Sequence, residues 1–372
     1  MTGDDGDPTS GDRNPGFTAA AATEWLGDDG ATTADFAPSP TDEQFPSVPL
    51  RSDGECLLAR FSEPTANRPT RIAVVSDVHL STRETGTWKA FHRTESLLRR
   101  AVADLNDHDL DGVVFAGDLT ENGATSDFEL VSEILSDLEH EFVAVPGNHD
   151  APKTFDEHPV PSLSRFEREY TPGGLPFHVE FGGVDVLALN TAAAPDGSLD
   201  DTHEGWVSPD QREWLAETFP EVDAPLVVGH HNLPGLLDAT GGRSWRGSFP
   251  MREAEAFGET LARIGAPLYL SGHLHVPAVA ETAGVRELVA PALCSFPQAY
   301  LVLDVGPAGT SVWHVPVATR EDATEALSLA HEYSTRSRMV AGIVHHQTES
   351  YPLVDELDAA AVPSSPLSAE CD

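Results

Sequence analysis

The chain predicts an α/β fold, a two-layered β-sandwich flanked by helices, and three observations predict it. Five short apolar runs rich in β-branched residues each lead directly into a turn carrying candidate ligands, the pattern of strands buried on both faces. Between several of them, apolar residues recur at spacings of three and four, the period of a helix with one buried face. Two more apolar runs follow the last motif and read as the closing strands of a second sheet.

Residues 1–54 are rich in Gly, Asp, Thr and Pro with one apolar island at Trp25-Leu26, so they are expected to form an acidic, largely disordered segment. The main domain is expected over residues 55–318, opening with an extra strand at 55–61, ECLLARF. The strands before the motifs are residues 71–76 (RIAVVS), 112–116 (GVVFA), 142–145 (FVAV), 225–228 (PLVV) and 267–270 (PLYL). Helices are expected over 95–105 and 128–138, and another opens at Pro209, with Ser208 as its N-cap and Pro209 in its first position. Residues 285–290 and 299–305 are the strands assigned to the second sheet. Over 319–372 we expect one helix from Arg320 to about Met339, followed by a polar tail.

The turns carry Asp77-Val78-His79, Gly117-Asp118, Gly147-Asn148-His149-Asp150, Gly229-His230-His231 and Gly272-His273-Leu274-His275. Turns at the C-terminal ends of α/β strands are where such folds gather ligands. A two-metal site needs oxygen and imidazole donors around each ion and one carboxylate reaching both, about 3.5–4 Å apart. This set contains all of them. Taken singly, Asp118 reads as a turn residue and Asn148 as a residue tolerant of positive φ; five motifs in order, each after a strand, make coincidence a poor account. His231 is expected to make a hydrogen bond behind the ligands, and His92, His203, His314, His345 and His346 sit in no motif and read as surface or satisfied-core residues.

Over residues 71–317 this ladder resembles the calcineurin-like metallophosphoesterases. The resemblance implies a first ion held by Asp77, His79, Asp118 and His275, and a second by Asp118, Asn148, His230 and His273, with Asp118 bridging. It further implies His149 and Asp118 as the catalytic residues, His149 standing over the substrate to stabilise its oxygens or protonate the leaving alkoxide, with Asp150 orienting the imidazole. The implied cofactors are two divalent ions, Mn, Fe, Zn or Co, which polarise the phosphoryl oxygen and lower the pKa of a bridging water to give a hydroxide.

The spacing resembles the branch containing cyclic-nucleotide and glycerophosphodiester phosphodiesterases, which implies a small phosphodiester substrate. A phosphomonoesterase, a DNA nuclease or a non-catalytic metal-binding scaffold on the same fold are the alternatives; the complete ligand set argues against the scaffold. One departure from the family pattern is His230-His231-Asn232-Leu233-Pro234, where many relatives place prolines directly after the histidines. The next stretch, residues 241–247, sets Arg243 and Arg246 around Trp245 and reads either as a cap over a flat substrate or, the reading we favour, as a solvated glycine-rich turn.

Acidic residues number 61 against 22 basic ones, for a net charge of −39, and the only lysines are Lys89 and Lys153. That balance looks like the acidic proteins of salt-accumulating halophiles, kept soluble where molar salt shrinks the Debye length to ~3 Å. It also argues against a nucleic-acid partner. The chain starts MTGDDGD with no basic, apolar leader, and its apolar runs are too short to span a bilayer. Cys56, Cys294 and Cys371 form no disulfide framework or zinc-finger pattern. A cytoplasmic protein without membrane contact is expected; the oligomeric state is left open, a homodimer included.

Overall fold

The computed structural model describes residues 54–151, 158–194, 203–240 and 251–357. Residues 1–53, the stretch holding Arg243, Trp245 and Arg246, and the tail beyond residue 357 lie outside the described residues.

The first sheet contains β1 (Cys56–Phe61), β2 (Thr70–Val75), β3 (Gly112–Phe115), β4 (Phe142–Ala144), β11 (Ala299–Gly306), β12 (Gly309–Pro316) and β13 (Val354–Asp355), in the order β13-β1-β12-β11-β2-β3-β4. The second contains β5 (Phe177–Phe181), β6 (Val184–Ala188), β7 (Pro225–Val228), β8 (Leu268–Ser271), β9 (Ala278–Thr282) and β10 (Val285–Val289), in the order β5-β6-β7-β8-β10-β9. β2, β3 and β4 run parallel, as do β6, β7 and β8.

Alternation along each strand divides its side chains between two cores. Ile72 and Val74 join Val114, Val186, Leu226 and Leu270 between the sheets, whereas Ala73 and Val75 face outward. Outward residues of the first sheet meet α1 (Phe91–Asn106), α2 (Thr125–Leu135) and α3 (Leu163–Tyr170). α1 buries Leu97, Leu98, Ala101, Val102 and Leu105, the three-and-four spacing its sequence shows. The second sheet is covered by α4 (Pro209–Thr218) and α6 (Ala254–Ile264), with the short α5 (Gly235–Ala239) beside β9. At the start of α4, Gln211 N–H donates to Ser208 Oγ at 3.2 Å, the cap expected there. The result is the expected sandwich with helices outside both sheets.

Two expectations are corrected. Residues 299–305 do not close the second sheet: β11 lies in the first, antiparallel to β2 and β12. The chain crosses over through the 290–298 segment, which is pinned to the turn after β2 by Leu293 N–H on Ser76 O (3.0 Å) and Cys294 N–H on Asp77 O (3.1 Å). The expected single helix after Arg320 is two, α7 (Arg320–Tyr333) and α8 (Thr335–Glu349), because extended Ser334 caps the second reciprocally with Ser337. This hairpin places Ala326, Val340 and Val344 against Leu274 and Phe296, so it braces one of the motif turns. Among the described residues no helix is long and apolar enough to cross a membrane.

Candidate metal centre

The five motif turns converge from both sheets. Asp77 and His79 follow β2, Asp118 follows β3, Asn148 and His149 follow β4, His230 follows β7, and His273 and His275 follow β8. Parallel strands of two layers thus deliver their C-terminal turns to one place. Asp77, His79, Asp118, His273 and His275 all adopt left-handed backbone, with φ of 52°, 45°, 53°, 72° and 60°. Such conformations are sparsely populated for residues with a Cβ and persist where the surroundings over-determine them. Here the turns lace together: Asp77 N–H donates to Gly117 O (3.1 Å), His79 N–H to Asp118 O (2.9 Å), His149 N–H to Asp118 Oδ1 (2.8 Å) and His273 N–H to Asp77 Oδ2 (3.1 Å). Two glycines permit the closeness. A Cβ on Gly117, at φ +96°, would lie 2.3 Å from His230 Nδ1, and one on Gly272 would lie 2.0 Å from Ser76 Oγ.

Three of the imidazoles are held from behind by Nδ1 and present Nε2 to the centre. His79 Nδ1 donates to Glu121 Oε2 (2.7 Å), His230 Nδ1 donates to Ala116 O (2.8 Å), and His275 Nδ1 lies 2.8 Å from Ser295 Oγ. The inward nitrogens meet the carboxylates: His79 Nε2 is 3.4 Å and His230 Nε2 3.2 Å from Asp118 Oδ2, while His275 Nε2 is 3.3 Å from Asp77 Oδ1 and 3.1 Å from His79 Nε2. Asp77, His79 and Asp118 bring one ligand atom each to within 4.8 Å of one another, and so do Asp118, His230 and His273. Asp118 belongs to both groups. Asn148 is buried in the same turn as His149.

The donor set fits cations. Burial alone would raise the carboxyls, yet His275 and His79 beside Asp77, and His230, His149 and His79 beside Asp118, hold both well below the usual carboxylate range, so both are ionised. Burial lowers His275 to about 4 and holds His273 well below the usual histidine range, which leaves them neutral with lone pairs to give. His230 moves the other way: burial opposes protonation, but Asp118 raises it to about 9. Its Nε2 makes no hydrogen bond although it lies 3.2 Å from Asp118 Oδ2, a position that suits a cation shared with that carboxylate.

His149 stands at the edge of the cluster, its ring 4.6 Å from that of His79 and its side chain 26% exposed. Its orientation corrects the expectation for Asp150. That carboxylate accepts from Leu119 N, Thr120 N, Thr120 Oγ1 and Gly147 N, tying the β3 and β4 turns together, and burial followed by the Asp118 charge raises it to about 6. The imidazole is fixed by Glu121 instead, whose backbone O is 2.6 Å from His149 Nδ1. Glu121 therefore anchors both His79 and His149. Lys89 completes this corner, with Nζ 2.8 Å from Glu121 Oε2. His231 makes the expected hydrogen bond behind the ligands, with Thr191 Oγ1 at 2.8 Å. His203, expected on the surface or in a satisfied core, lies with its ring 5.6 Å from that of His273 at the site. Glu121, Lys89 and His203 stand outside any motif.

Comparison with known proteins identifies similar chains. A stretch of 174 residues is 29% identical to a probable cyclic nucleotide phosphodiesterase of Pseudoalteromonas, covering 45% of this chain and 60% of that protein's length. Over 234 residues the chain is 24% identical to the 3′,5′-cyclic adenosine monophosphate phosphodiesterase CpdA of Escherichia coli, covering 60% and 76% of the two chains. Among solved structures, a dimetal phosphatase from Danio rerio aligns with a TM-score of 0.53 at 13% identity over 67% of this chain and 97% of that one, which supports the fold. The family model for calcineurin-like phosphoesterases matches residues 70–277, more than half of the chain, and the protein belongs to that family.

Proposed function

We propose that the protein is a dinuclear metal-dependent hydrolase of small phosphodiesters, cyclic nucleotides first among them. The observation that carries the reading is Asp118, the one carboxylate common to two clusters of buried metal-ligand atoms. Asp77, His79, Asp118 and His275 would hold one divalent ion, and Asp118, Asn148, His230 and His273 the other. Such a pair, Mn, Fe, Zn or Co, supplies Lewis-acid polarisation of the phosphoryl group and an activated water. Cyclic nucleotides come from the names of the relatives, and a glycerophosphodiester phosphodiesterase among the matches keeps that class open.

His149 would act on the substrate. Glu121 O holds its Nδ1 proton, which leaves the Nε2 lone pair toward Lys89 Nζ, 3.5 Å away. Burial, and next the Lys89 charge, hold its pKa well below the usual histidine range, so the imidazole is neutral until a substrate anion offsets that charge. The charge of −39 disfavours nucleic acid as substrate. We further read the composition as that of a cytoplasmic protein of a salt-accumulating cell.

The test compares bis(p-nitrophenyl) phosphate with p-nitrophenyl phosphate in molar KCl with Mn²⁺. Faster turnover of the diester is expected, abolished by chelation and restored by added metal. Preference for the monoester moves the reading to a phosphomonoesterase, and no turnover of either by metal-loaded protein contradicts it.

A further inference from the structure

We propose that Lys89 is a substrate-contacting residue, a fixed cation that grips a phosphate oxygen on the His149 side of the metal pair. The inference rests on the hydrolase reading above, and four features of this chain carry it.

The first is placement. Lys89 lies in a turn bracketed by left-handed Thr87 and Ala90, with φ of 56° and 46°, a costly backbone for residues with a Cβ. Its neighbour Trp88 sets its ring 4.9 Å from that of His275, so the turn is folded onto the metal cluster. The second is enclosure. Only 12% of the Lys89 side chain is exposed, an expensive position for an ammonium unless its charge is used.

The third is the count of donors and acceptors. An ammonium has three N–H donors. Nζ has Glu121 Oε2 at 2.8 Å, His79 Nδ1 at 3.3 Å and His149 Nε2 at 3.5 Å. His79 Nδ1 also lies 2.7 Å from Glu121 Oε2, a carboxylate held well below its usual range that can only accept, so the Nδ1 proton belongs there and leaves no lone pair for Lys89. His149 Nε2 can accept, but 3.5 Å is beyond a good hydrogen bond. Among the described residues one strong acceptor therefore serves the ammonium, and its remaining donors share the space that His149 Nε2 faces. A phosphate oxygen beside Nζ accepts from those remaining donors.

The fourth is charge. Lys89 is the only lysine among the described residues of a chain carrying −39, and Asp77, Asp118 and Glu121 add local negative charge. An anionic ester approaching such a surface gains from a cation beside the metals, and the flexible stem lets it follow the phosphate. The bland alternative is that Lys89 merely neutralises Glu121 and so steadies His79.

The two are separated by inorganic phosphate binding to the manganese-loaded protein, measured by calorimetry alongside metal content and steady-state kinetics with bis(p-nitrophenyl) phosphate. Lys89→Met and Lys89→Gln should keep two ions per chain, weaken phosphate by about tenfold, as expected for one lost charge-assisted hydrogen bond, and raise KM. Lys89→Arg, which keeps the charge, should lose less. Unchanged phosphate affinity in metal-replete Met and Gln variants, or loss of metal from both, overturns the proposal in favour of the tether. If the wild type binds phosphate through Lys89 but hydrolyses no ester, the hydrolase reading fails and the phosphate contact stands.

Discussion

At the residue scale, the proposed site separates holding from acting. His79, His230 and His275 are fixed behind by Glu121, Ala116 and Ser295 and turn Nε2 toward the carboxylates, whereas His149, fixed by Nδ1 on Glu121 O, has its Nε2 beside Lys89 Nζ. His149→Ala should therefore keep both ions and lose roughly two to four orders of magnitude in kcat, the usual worth of a proton-transfer group. Metal analysis beside the rate decides it; loss of metal with the rate would make His149 a ligand. The ligand candidates were legible because each closes a strand within a compact motif. Glu121, Lys89 and His203 were not, because they reach the site through folding rather than through a pattern. Asp150 misled by adjacency: next to His149 in sequence, its carboxylate points back to the β3 turn.

At the element scale, the strands leading into the motifs were plain and their sheet membership was not. A run such as residues 299–305, apolar on both sides, says that a strand is buried but nothing of which layer buries it. The break at Ser334 had a local signal, Ser334 and Ser337 three apart, that helical periodicity on either side obscured. β10 carries a testable cost of burial. Glu287 on that strand is fully buried, accepts from Ser271 Oγ (2.7 Å), Asn232 Nδ2 (3.2 Å) and Leu233 N (3.1 Å), and burial raises it to about 7. A carboxyl raised on folding gives its full contribution below its unfolded value of about 4.5 and loses it as pH rises through about 7. Wild-type stability should fall over that window by a few kcal/mol at most. Glu287→Gln, neutral throughout, should gain on the wild type between pH 5 and pH 8 in denaturant titrations; parallel pH profiles would show that Glu287 does not set this slope.

At the scale of the whole molecule, the sandwich packs two sets of parallel strands face to face, and the charge surrounds that arrangement. With −39 on one chain, self-repulsion is strong in dilute buffer and screened in molar salt. The melting temperature should rise by several degrees or more between dilute buffer and molar KCl; an unchanged value would sink the halophilic reading while leaving the site intact. The measurement that bears most directly on the central claim is the metal content and diesterase activity of Asp118→Ala against the wild type, both loaded with Mn²⁺ in molar KCl. The wild type should hold two ions per chain, and the variant, lacking the carboxylate common to both clusters, should lose both with nearly all activity. An active Asp118→Ala protein that keeps two ions would contradict the bridged site.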